Sequence, residues 1–242
     1  MARIFITGSS DGLGQMAAQK LVNEGHSVVL HARNGQRARH AIELVPGADK
    51  VLIADLSKQD ETKRLAEEVN SLGKFDAIIH NAGVYQDARE KILGINVLAP
   101  YILTSLIEIP ERLVYISSGL HMQGNPDITN LTSGNITYSD SKAYVSMLAF
   151  AVARKMKNVY SNSVDPGWVP TKMGGKNAPD DLQKGFGTQA WLAVSNDPAA
   201  MVSGHHFFHQ KEKQHLSSVD NTELQEQFLL QCEEMTGIRF PS

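Results

Sequence analysis

Tyr138 and Lys142 lie four residues apart in the stretch Tyr138-Ser139-Asp140-Ser141-Lys142. On a helix, residues four apart share a face, so the hydroxyl and the ammonium group would reach one cleft. A phenol has an ordinary pKa of about 10, and a neighbouring cation lowers it by favouring the phenolate. The pair therefore predicts a proton-transfer group that works near neutral pH. A packed tyrosine beside a solvated lysine has the same spacing, so the interpretation depends on the rest of the chain.

Short apolar runs alternate along the chain with segments whose apolar residues recur every three or four positions. The runs predict strands over residues 4–6, 27–31, 51–53, 77–79, 113–116, 159–164 and 204–208. The periodic segments predict helices over residues 13–23, 36–44, 61–72, 90–107, 138–156, 182–194 and 221–236. Strand runs rich in Val, Ile and Leu indicate a parallel sheet that helices cover on both faces. We therefore expect an α/β protein with a doubly wound sheet of about seven parallel strands, in one domain over residues 1–242.

The composition restricts the classes of function. The 242 residues are 42% hydrophobic and 20% charged, and the net charge is −3 without a long basic run. We therefore expect no nucleic acid and no anionic membrane as partner. No apolar run approaches the ~18 residues of a membrane span, and no targeting segment precedes the first strand, so we expect a cytoplasmic protein. The single cysteine, Cys232, fits a reducing compartment and a structural role.

A glycine-rich stretch, residues 7–14, lies between the first predicted strand and the first predicted helix. Gly8, Gly12 and Gly14 allow a tight turn that brings backbone N–H groups and the helix N-terminus to a phosphate. Their spacing differs from the commoner dinucleotide pattern Gly-x-Gly-x-x-Gly. The position directly after the first strand favours phosphate binding over an ordinary glycine-rich turn.

This spacing, together with Asn81-Ala82-Gly83, Ser118, the Tyr138–Lys142 pair and Pro166-Gly167, resembles the short-chain dehydrogenase/reductase family over essentially the whole chain. The motifs follow one another in the order of that family. The resemblance implies a Rossmann-type fold, a nicotinamide cofactor and the catalytic residues Asn96, Ser118, Tyr138 and Lys142. The long gap between Ser118 and Tyr138 is similar to that of retinol-dehydrogenase-like, NADP-dependent carbonyl reductases.

The resemblance also implies a role for each catalytic residue. Ser118 would bond the substrate carbonyl, Tyr138 would transfer the proton, and Lys142 would lower the pKa of Tyr138 and bond the nicotinamide ribose. Asn96 would hold a relay water through its backbone. Pro100 is an independent reason to expect this water, because it has no N–H to bond the Asn96 carbonyl. A kinked helix without a part in catalysis is the alternative.

The residues after the second predicted strand indicate the type of cofactor. NAD binders place an acid there, whereas this segment reads His31-Ala32-Arg33-Asn34, with Arg37 one turn later. A guanidinium suits a phosphate, so we expect NADP(H) in preference to NAD(H), with Arg33 as its partner. Asp11 counts against this, because many NADP-using relatives have a basic residue there. The cofactor-binding residues that the resemblance implies are Gly8, Ser10, Asp11, Gly12, Leu13, Gly14, Arg33, Asp55, Leu56, Asn81, Ala82, Gly83, Tyr138, Lys142, Pro166, Gly167, Val169 and Thr171.

Several polar residues keep more than one interpretation. Asp55 could contact the adenine amine or cap the following helix. His80 replaces the Asn that usually precedes Asn-Ala-Gly in this family, and we assign it no role. Three histidines lie close together in residues 205–209, but adjacent strand residues point to opposite faces, so we expect no metal.

We therefore expect an NADPH-dependent oxidoreductase that interconverts a ketone or aldehyde and an alcohol by hydride transfer, with Tyr138 as general acid/base. The alternatives are a non-catalytic NADP-binding redox sensor and an epimerase or dehydratase of a related branch. Residues 168–184 are expected to form a substrate lid. Family members are often homodimers or homotetramers, but the sequence identifies neither the oligomer nor the substrate.

Overall fold

The computed structural model describes residues 1–241 and contains an eight-stranded sheet. Its strands are β1 (Arg3–Ile6), β2 (Ser27–Ala32), β3 (Lys50–Ile53), β4 (Ala77–His80), β5 (Arg112–Ile116), β6 (Tyr160–Asp165), β7 (His206–Phe208) and β8 (Lys211–Glu212). Their order is β3-β2-β1-β4-β5-β6-β7-β8, and all neighbours from β3 to β7 are parallel. The predicted α/β fold with a doubly wound sheet is confirmed.

The edge of the sheet differs from the prediction of about seven parallel strands. β8 is an eighth strand and pairs antiparallel with β7. His209 and Gln210 connect the two, with φ angles of 51° and 62°. A strand of two exposed, charged residues has no apolar pattern, so the sequence does not reveal it. The strand predicted over residues 204–208 is also shorter and begins at His206.

Helices cover both faces of the sheet. Their bounds are α1 (Gly12–Asn23), α2 (Gly35–Leu44), α3 (Gln59–Ser71), α4 (Arg89–Leu93), α5 (Ala99–Leu106), α6 (Ile128–Thr132), α7 (Tyr138–Lys155), α8 (Leu182–Val194) and α9 (Thr222–Thr236). The helix predicted over residues 90–107 is interrupted, because Gly94–Leu98 form a π-helical turn between α4 and α5. Pro100, in the first turn of α5, cannot donate an α-helical hydrogen bond. Among residues 1–241, no helix has both the length and the apolar character needed to cross a membrane.

Alternate strand residues pack on opposite faces, so the sheet separates two cores. Phe5 and Ile78 belong to the core under α3, α5 and α7, whereas Ile4 and Leu30 belong to the core under α1 and α8. All four side chains are fully buried. This burial on both faces is the reason for the continuous apolar runs in the sequence.

The strand order reverses between β1 and β4. In a doubly wound sheet, a ligand crevice opens at the carboxyl ends of the strands at this point. The segments after β1, β4, β5 and β6 all emerge on this side. They carry the glycine loop, Asn81-Ala82-Gly83, Ser118 and Pro166-Gly167, so the fold brings the motifs of the sequence together.

Candidate active site

Tyr138 and Lys142 lie in the first turn and a half of α7. The helix begins at Tyr138 because Thr137 and Asp140 form a capping box: the Thr137 hydroxyl accepts from the Asp140 N–H at 3.1 Å, and the Asp140 carboxylate accepts from the Thr137 N–H at 2.8 Å. Lys142 Nζ donates to the Ile116 carbonyl at 2.8 Å and lies 5.5 Å from the centre of the Tyr138 ring. Both side chains therefore reach the carboxyl end of β5.

Burial shifts the pKa of both groups. It lowers the pKa of Lys142 to about 8, because the charged ammonium loses hydration. It raises the pKa of Tyr138 to about 12, while a hydrogen bond with Ser118 opposes the rise and the charge of Asp165 adds to it. The net lowering of the Tyr138 pKa that the spacing to Lys142 predicted is therefore wrong for this structure, because burial raises the pKa instead. Tyr138 is a protonated acid at pH 7.

Two serines follow β5 and have different surroundings. The Ser118 side chain forms a hydrogen bond with Tyr138 and so faces the cleft. Ser117 is buried, and its hydroxyl donates to the Lys142 carbonyl at 2.9 Å and accepts from the Ser146 hydroxyl at 2.8 Å. Ser117 therefore ties the end of β5 to α7. The sequence indicated only a turn former at this position.

Asn96 lies in the π-helical turn and is buried. Its side chain bonds the Val84 backbone in both directions: Oδ1 accepts from the N–H and Nδ2 donates to the carbonyl, each at 2.9 Å. Nδ2 also donates to the Ser141 hydroxyl at 2.9 Å. Asn96 thus fastens the segment after β4 to α7, a function of the side chain that the sequence did not reveal.

The glycine loop lies against the segment after β4 so closely that side chains do not fit between them. A Cβ atom on Gly8 would lie 2.8 Å from Ala82 Cα, and one on Gly14 would lie 2.9 Å from Asn81 Cγ. Asn81 Nδ2 donates to the Gly8 carbonyl at 3.1 Å. Gly8 and Gly12 have φ angles of 63° and 58°, which glycine adopts without strain. The loop and the N-terminus of α1 therefore form a cradle of backbone N–H groups.

A buried histidine supports this loop from β2. His31 Nδ1 accepts from the Gly8 N–H at 3.0 Å, so its hydrogen is on Nε2, which donates to the Ala54 carbonyl at 3.0 Å. Burial lowers the pKa of His31 to about 4, so the ring stays neutral. The sequence alone assigned His31 no role. A polar side chain within an otherwise apolar strand is the feature of the sequence that could have indicated this role.

Asp11 begins α1 between two cations. Its carboxylate accepts from the Gly12 N–H at 2.8 Å and thereby caps the helix. Arg37 Nη2 lies 3.3 Å from the same carboxylate, and the Lys172 ammonium also contacts it. Burial opposes ionisation of Asp11, but the hydrogen bond and charge of Lys172, with smaller contributions from Gly12 and Arg37, hold its pKa below the ordinary value. The negative charge of Asp11, which would oppose binding of NADP(H), is therefore neutralised.

Two arginines lie at the carboxyl end of β2, Arg33 directly after the strand and Arg37 in the first turn of α2. Arg33 follows β2 and is exposed. Arg37 Nε donates to the Ser10 hydroxyl at 3.2 Å, and this contact holds the guanidinium against the loop. The sequence named Arg33 as the phosphate partner and only noted Arg37. The structure therefore adds a second guanidinium beside the cradle.

Asp55 and Leu56 follow β3 on the same side of the sheet. Asp55 accepts from the backbone N–H and the hydroxyl of Ser57 at 3.0 and 2.7 Å, so it forms a turn. The N-cap of α3 is Lys58, which makes the helix-cap interpretation of Asp55 wrong. Leu56 is buried at the end of the strand. Leu13, in the first turn of α1, lies near Gly185 of α8.

The loop after β6 is closed by Asp180. The Asp180 carboxylate accepts from the Trp168 N–H at 2.6 Å, and the Asp180 N–H donates to the Trp168 carbonyl at 3.0 Å. Gly167 has a φ angle of 84° and packs against Asp180. Because α8 begins at Leu182, this loop ends before the predicted lid boundary of residue 184. It carries the predicted cofactor-binding residues Pro166, Gly167, Val169 and Thr171.

Residues that the sequence analysis did not name also surround Tyr138. Asp165, the last residue of β6, is buried and forms an ion pair of 3.0 Å with Lys213. The Tyr85 ring contacts the Tyr138 ring edge-on, with 4.7 Å between centroids. His121 Nδ1 lies 2.6 Å from the Ser118 carbonyl. A carboxylate at a strand end was a usable signal, whereas the contacts of Tyr85 and His121 depend on loop geometry.

The chain is similar in sequence to known proteins. Residues 2–182 match the family model described as short chain dehydrogenase. The chain belongs to the short-chain dehydrogenase family. It is 42% identical to the short-chain dehydrogenase chyC of Penicillium rubens, and the match covers 100% of both chains.

Two solved structures are similar to this short-chain dehydrogenase in fold. A putative uncharacterized protein from Mycobacterium paratuberculosis has a TM-score of 0.82 at 21% identity, and the match covers 100% of this chain and 96% of that one. The Pseudomonas aeruginosa RhlG/NADP active-site complex has a TM-score of 0.70 at 22% identity, covering 85% and 93%.

The family membership makes the chain an oxidoreductase that binds a nicotinamide cofactor. The residues present fit such a group. The cradle offers backbone N–H groups for a pyrophosphate, and Gly83 leaves open a space that a Cβ atom would fill at 3.2 Å from Lys142 Nζ. Both features lie at the carboxyl ends of the strands, where a dinucleotide binds in a doubly wound sheet.

Proposed function

We propose that this short-chain dehydrogenase is an NADPH-dependent carbonyl reductase that converts a ketone or an aldehyde into an alcohol. The convergence of Ser118, Tyr138 and Lys142 at the end of β5, beside the glycine cradle, carries the proposal. Two hydroxyls in hydrogen-bonding contact can hold one carbonyl oxygen between them. A nearby ammonium stabilises the negative charge that develops there.

The protein side chains supply the proton and hold the substrate. NADPH, when bound, supplies the hydride to the carbonyl carbon. Ser118 donates a hydrogen bond to the carbonyl oxygen, and Tyr138 donates its proton to the same oxygen as charge develops. The pKa of Tyr138, about 12, keeps this hydroxyl protonated at pH 7. The site therefore begins the reaction with an acid in place, which favours reduction.

Lys142 and Asn96 support this proton transfer. Lys142 is mostly charged at pH 7, because its pKa of about 8 lies above that value. Its ammonium stabilises the phenolate that remains after Tyr138 has donated its proton. Asn96 anchors Val84 and Ser141, so it holds the segment that contains Gly83 beside Lys142.

The preference for NADP(H) rests on Arg33 and Arg37. The Arg37 guanidinium contacts the glycine loop through Ser10 and Asp11, and Arg33 follows β2 at the same end of the sheet. A 2′-phosphate is a group that such cations bind. Asp11 does not repel this phosphate strongly, since Arg37 and Lys172 neutralise it. The Pseudomonas aeruginosa protein of similar fold is an NADP complex, which agrees with this choice.

Exposed apolar side chains point to an apolar substrate. Tyr85, Met122, Trp168 and Met173 are 39%, 43%, 60% and 50% exposed. They follow β4, β5 and β6, the strands whose carboxyl ends form the cleft. Exposed apolar side chains that border a cleft mark a binding surface. We therefore infer a carbonyl compound with a sizeable apolar group.

Oxidation of NADPH with a panel of polar and apolar ketones and aldehydes tests the function. We expect turnover with the apolar compounds. The matched variant Tyr138→Phe keeps the ring against Tyr85 but has no proton to give, so kcat should fall by about a thousandfold or more while NADPH affinity changes little. Unimpaired turnover by Tyr138→Phe would contradict the assignment of Tyr138 as the proton donor. Binding of NADPH without turnover of any carbonyl would favour a cofactor-sensing protein.

A further inference from the structure

A small cavity lies beside Lys142, between the carboxyl ends of the central strands and the π-helical turn. Its volume is about 10 Å³, which is the space that one water molecule needs. Most of its lining is apolar. The residues that bring polar groups or alter the backbone hydrogen bonding are Thr7, His80, Asn96, Pro100 and Lys142.

His80 is held rigidly at this cavity. It is the last residue of β4, is 4% exposed, and stacks on Tyr115 with 4.7 Å between ring centroids. Its Nε2 lies 3.3 Å from the Thr104 hydroxyl, and the same hydroxyl lies 2.8 Å from the Tyr115 hydroxyl. Turning the ring would break the stacking and the hydrogen bond. The ring edge that faces the cavity is therefore fixed.

The hydrogen-bond chain determines which nitrogen of His80 carries the hydrogen. Within residues 1–241, the Tyr115 hydroxyl bonds only Thr104, so Tyr115 donates to Thr104. We therefore assign the Thr104 hydroxyl as the donor to His80 Nε2, with Nε2 unprotonated. Burial lowers the pKa of His80 to about 3, so the imidazole is neutral at pH 7. A neutral ring with an accepting Nε2 carries its hydrogen on Nδ1.

This Nδ1–H has no hydrogen-bond partner among the described residues, although it is buried. A buried donor without a partner is costly and rare. His80 lines the cavity and Thr104, the partner of Nε2, does not, so we assign Nδ1 as the ring nitrogen that faces the cavity. A water molecule in the cavity would satisfy the donor.

The other groups around the cavity suit the same water. Lys142 brings an ammonium donor, and the Asn96 carbonyl has no α-helical (i+4) donor, because Pro100 has no N–H, so it can accept from a water. One water can accept from His80 and Lys142 and donate to Asn96, and three hydrogen bonds are typical of buried waters. We propose that His80 Nδ1 donates a hydrogen bond to a water in this cavity and so positions it beside Lys142. His80 is thus a positioning residue, which acts through the water.

The water site itself is tested without any activity. Long-range ¹H–¹⁵N spectra of the wild type, with His80→Phe for assignment, should show the Nδ1-protonated ring. A high-resolution crystal structure should show a water about 3 Å from Nδ1, and this water should be absent in His80→Phe, which keeps the stacking on Tyr115. An Nε2-protonated ring, or a cavity without a water at Nδ1, would overturn the proposal.

The kinetic consequence rests on the proposed reductase function. We expect kcat of His80→Phe to fall about tenfold with KM little changed, because the relay beside Lys142 loses its water. Tyr115→Phe is the control, since it removes the hydrogen bond between Tyr115 and Thr104 but keeps the stacking on His80 and leaves the Thr104 hydroxyl to donate to Nε2. It should lower the melting temperature as much as His80→Phe but keep kcat near that of the wild type.

The outcomes separate the two proposals. Equal losses of kcat in both variants would show that His80 acts only through the packing of the core, and would overturn the positioning role. If the wild type reduces no carbonyl at all, the proposed function fails. In that case, the spectra and the crystal structure still decide whether His80 holds a water.

Discussion

The ammonium nitrogen of Lys142 lies 2.8 Å from the carbonyl oxygen of Ile116, the last residue of β5. This neutral carbonyl is its hydrogen-bond partner, and the side chain is only 4% exposed. A buried ammonium without a carboxylate partner loses hydration that one carbonyl does not replace, so its pKa falls. The charge of Lys142 therefore destabilises the folded protein.

The stability of the cofactor-free protein should depend on this titration. The pKa of Lys142 is about 8 in the folded state and 10.5 as its ordinary value, so between these values the unfolded chain binds the additional proton. Stability therefore rises with pH in this window and is lost as the pH falls through it. Lys142→Met has no such group, so the stability of the wild type relative to Lys142→Met should rise by up to about 3 kcal/mol between pH 7 and pH 10.5.

Urea unfolding at a series of pH values measures this difference. The control is Lys157→Met, because Lys157 is exposed just after α7 and keeps its hydration. The difference in unfolding free energy between Lys157→Met and the wild type should stay constant between pH 7 and pH 10.5. A constant difference for Lys142→Met as well would show that Lys142 is not desolvated in solution.

The loop after β6 should depend on Asp180 for its closed form. Asp180→Ala removes the carboxylate that accepts from the Trp168 N–H, so the loop after β6, which carries the proposed cofactor-binding residues, becomes mobile. We expect KM for NADPH to rise about fivefold, with a loss of stability below about 1 kcal/mol. Steady-state kinetics and thermal unfolding measure the two effects.

The neighbouring carboxylate is a matched control. Asp181 accepts from the N–H groups of Gln183 and Lys184 at 2.8 and 3.2 Å and caps α8. Asp181→Ala should therefore cost about 1 kcal/mol of stability without changing KM. A rise in KM that is as large in Asp181→Ala would mean that the loop depends on α8 rather than on Asp180.

The sequence predicted the sheet and the location of the site because both follow from local patterns. The apolar runs predicted the seven parallel strands. Because ligand crevices open at the carboxyl ends of such strands, the glycine loop and Ser118 were expected at the same end of the sheet. The sequence did not predict contacts between residues that lie far apart in the chain. His31 meets Gly8 across 23 residues, and Lys172 meets Asp11 across 161. Such pairs depend on the paths of the loops, which the spacing of apolar residues in the sequence does not predict.

The pKa of Tyr138 shows the same limit for electrostatics. From the sequence, the spacing to Lys142 suggests a cation beside a phenol and a lowered pKa. The structure shows that the ammonium is directed at Ile116 and that burial dominates. The sign of the shift depends on desolvation, which only the packed structure contains.

Gly14 should tolerate no side chain. A Cβ atom there would lie 2.8 Å from the Gly8 carbonyl oxygen and 2.9 Å from Asn81 Cγ, so Gly14→Ala must separate the glycine loop from the segment after β4. We expect a loss of about 2 kcal/mol in stability and a loss of NADPH binding. Gly187→Ala is the control, because Gly187 lies in α8 with open space around its Cβ position. This variant should gain about 0.5–1 kcal/mol, and destabilisation of both variants alike would refute the steric argument.

Arg37 should contribute to the choice between the two nicotinamide cofactors. Its guanidinium is held against the glycine loop by Ser10 and Asp11, where a 2′-phosphate would add a stronger anionic partner. Arg37→Ala should raise KM for NADPH about tenfold, and the double variant with Arg33→Ala should raise it further. KM for NADH should change little, because NADH has no 2′-phosphate.

Arg39→Ala is the control for net charge. Arg39 is exposed on the same helix, so its removal changes the charge of α2 by the same amount as Arg37→Ala. We expect KM for both cofactors to stay near the wild-type values. If Arg37→Ala weakens NADPH and NADH equally, its guanidinium supports the shape of the loop through Asp11 rather than binding the phosphate, and Arg33 alone would determine the preference.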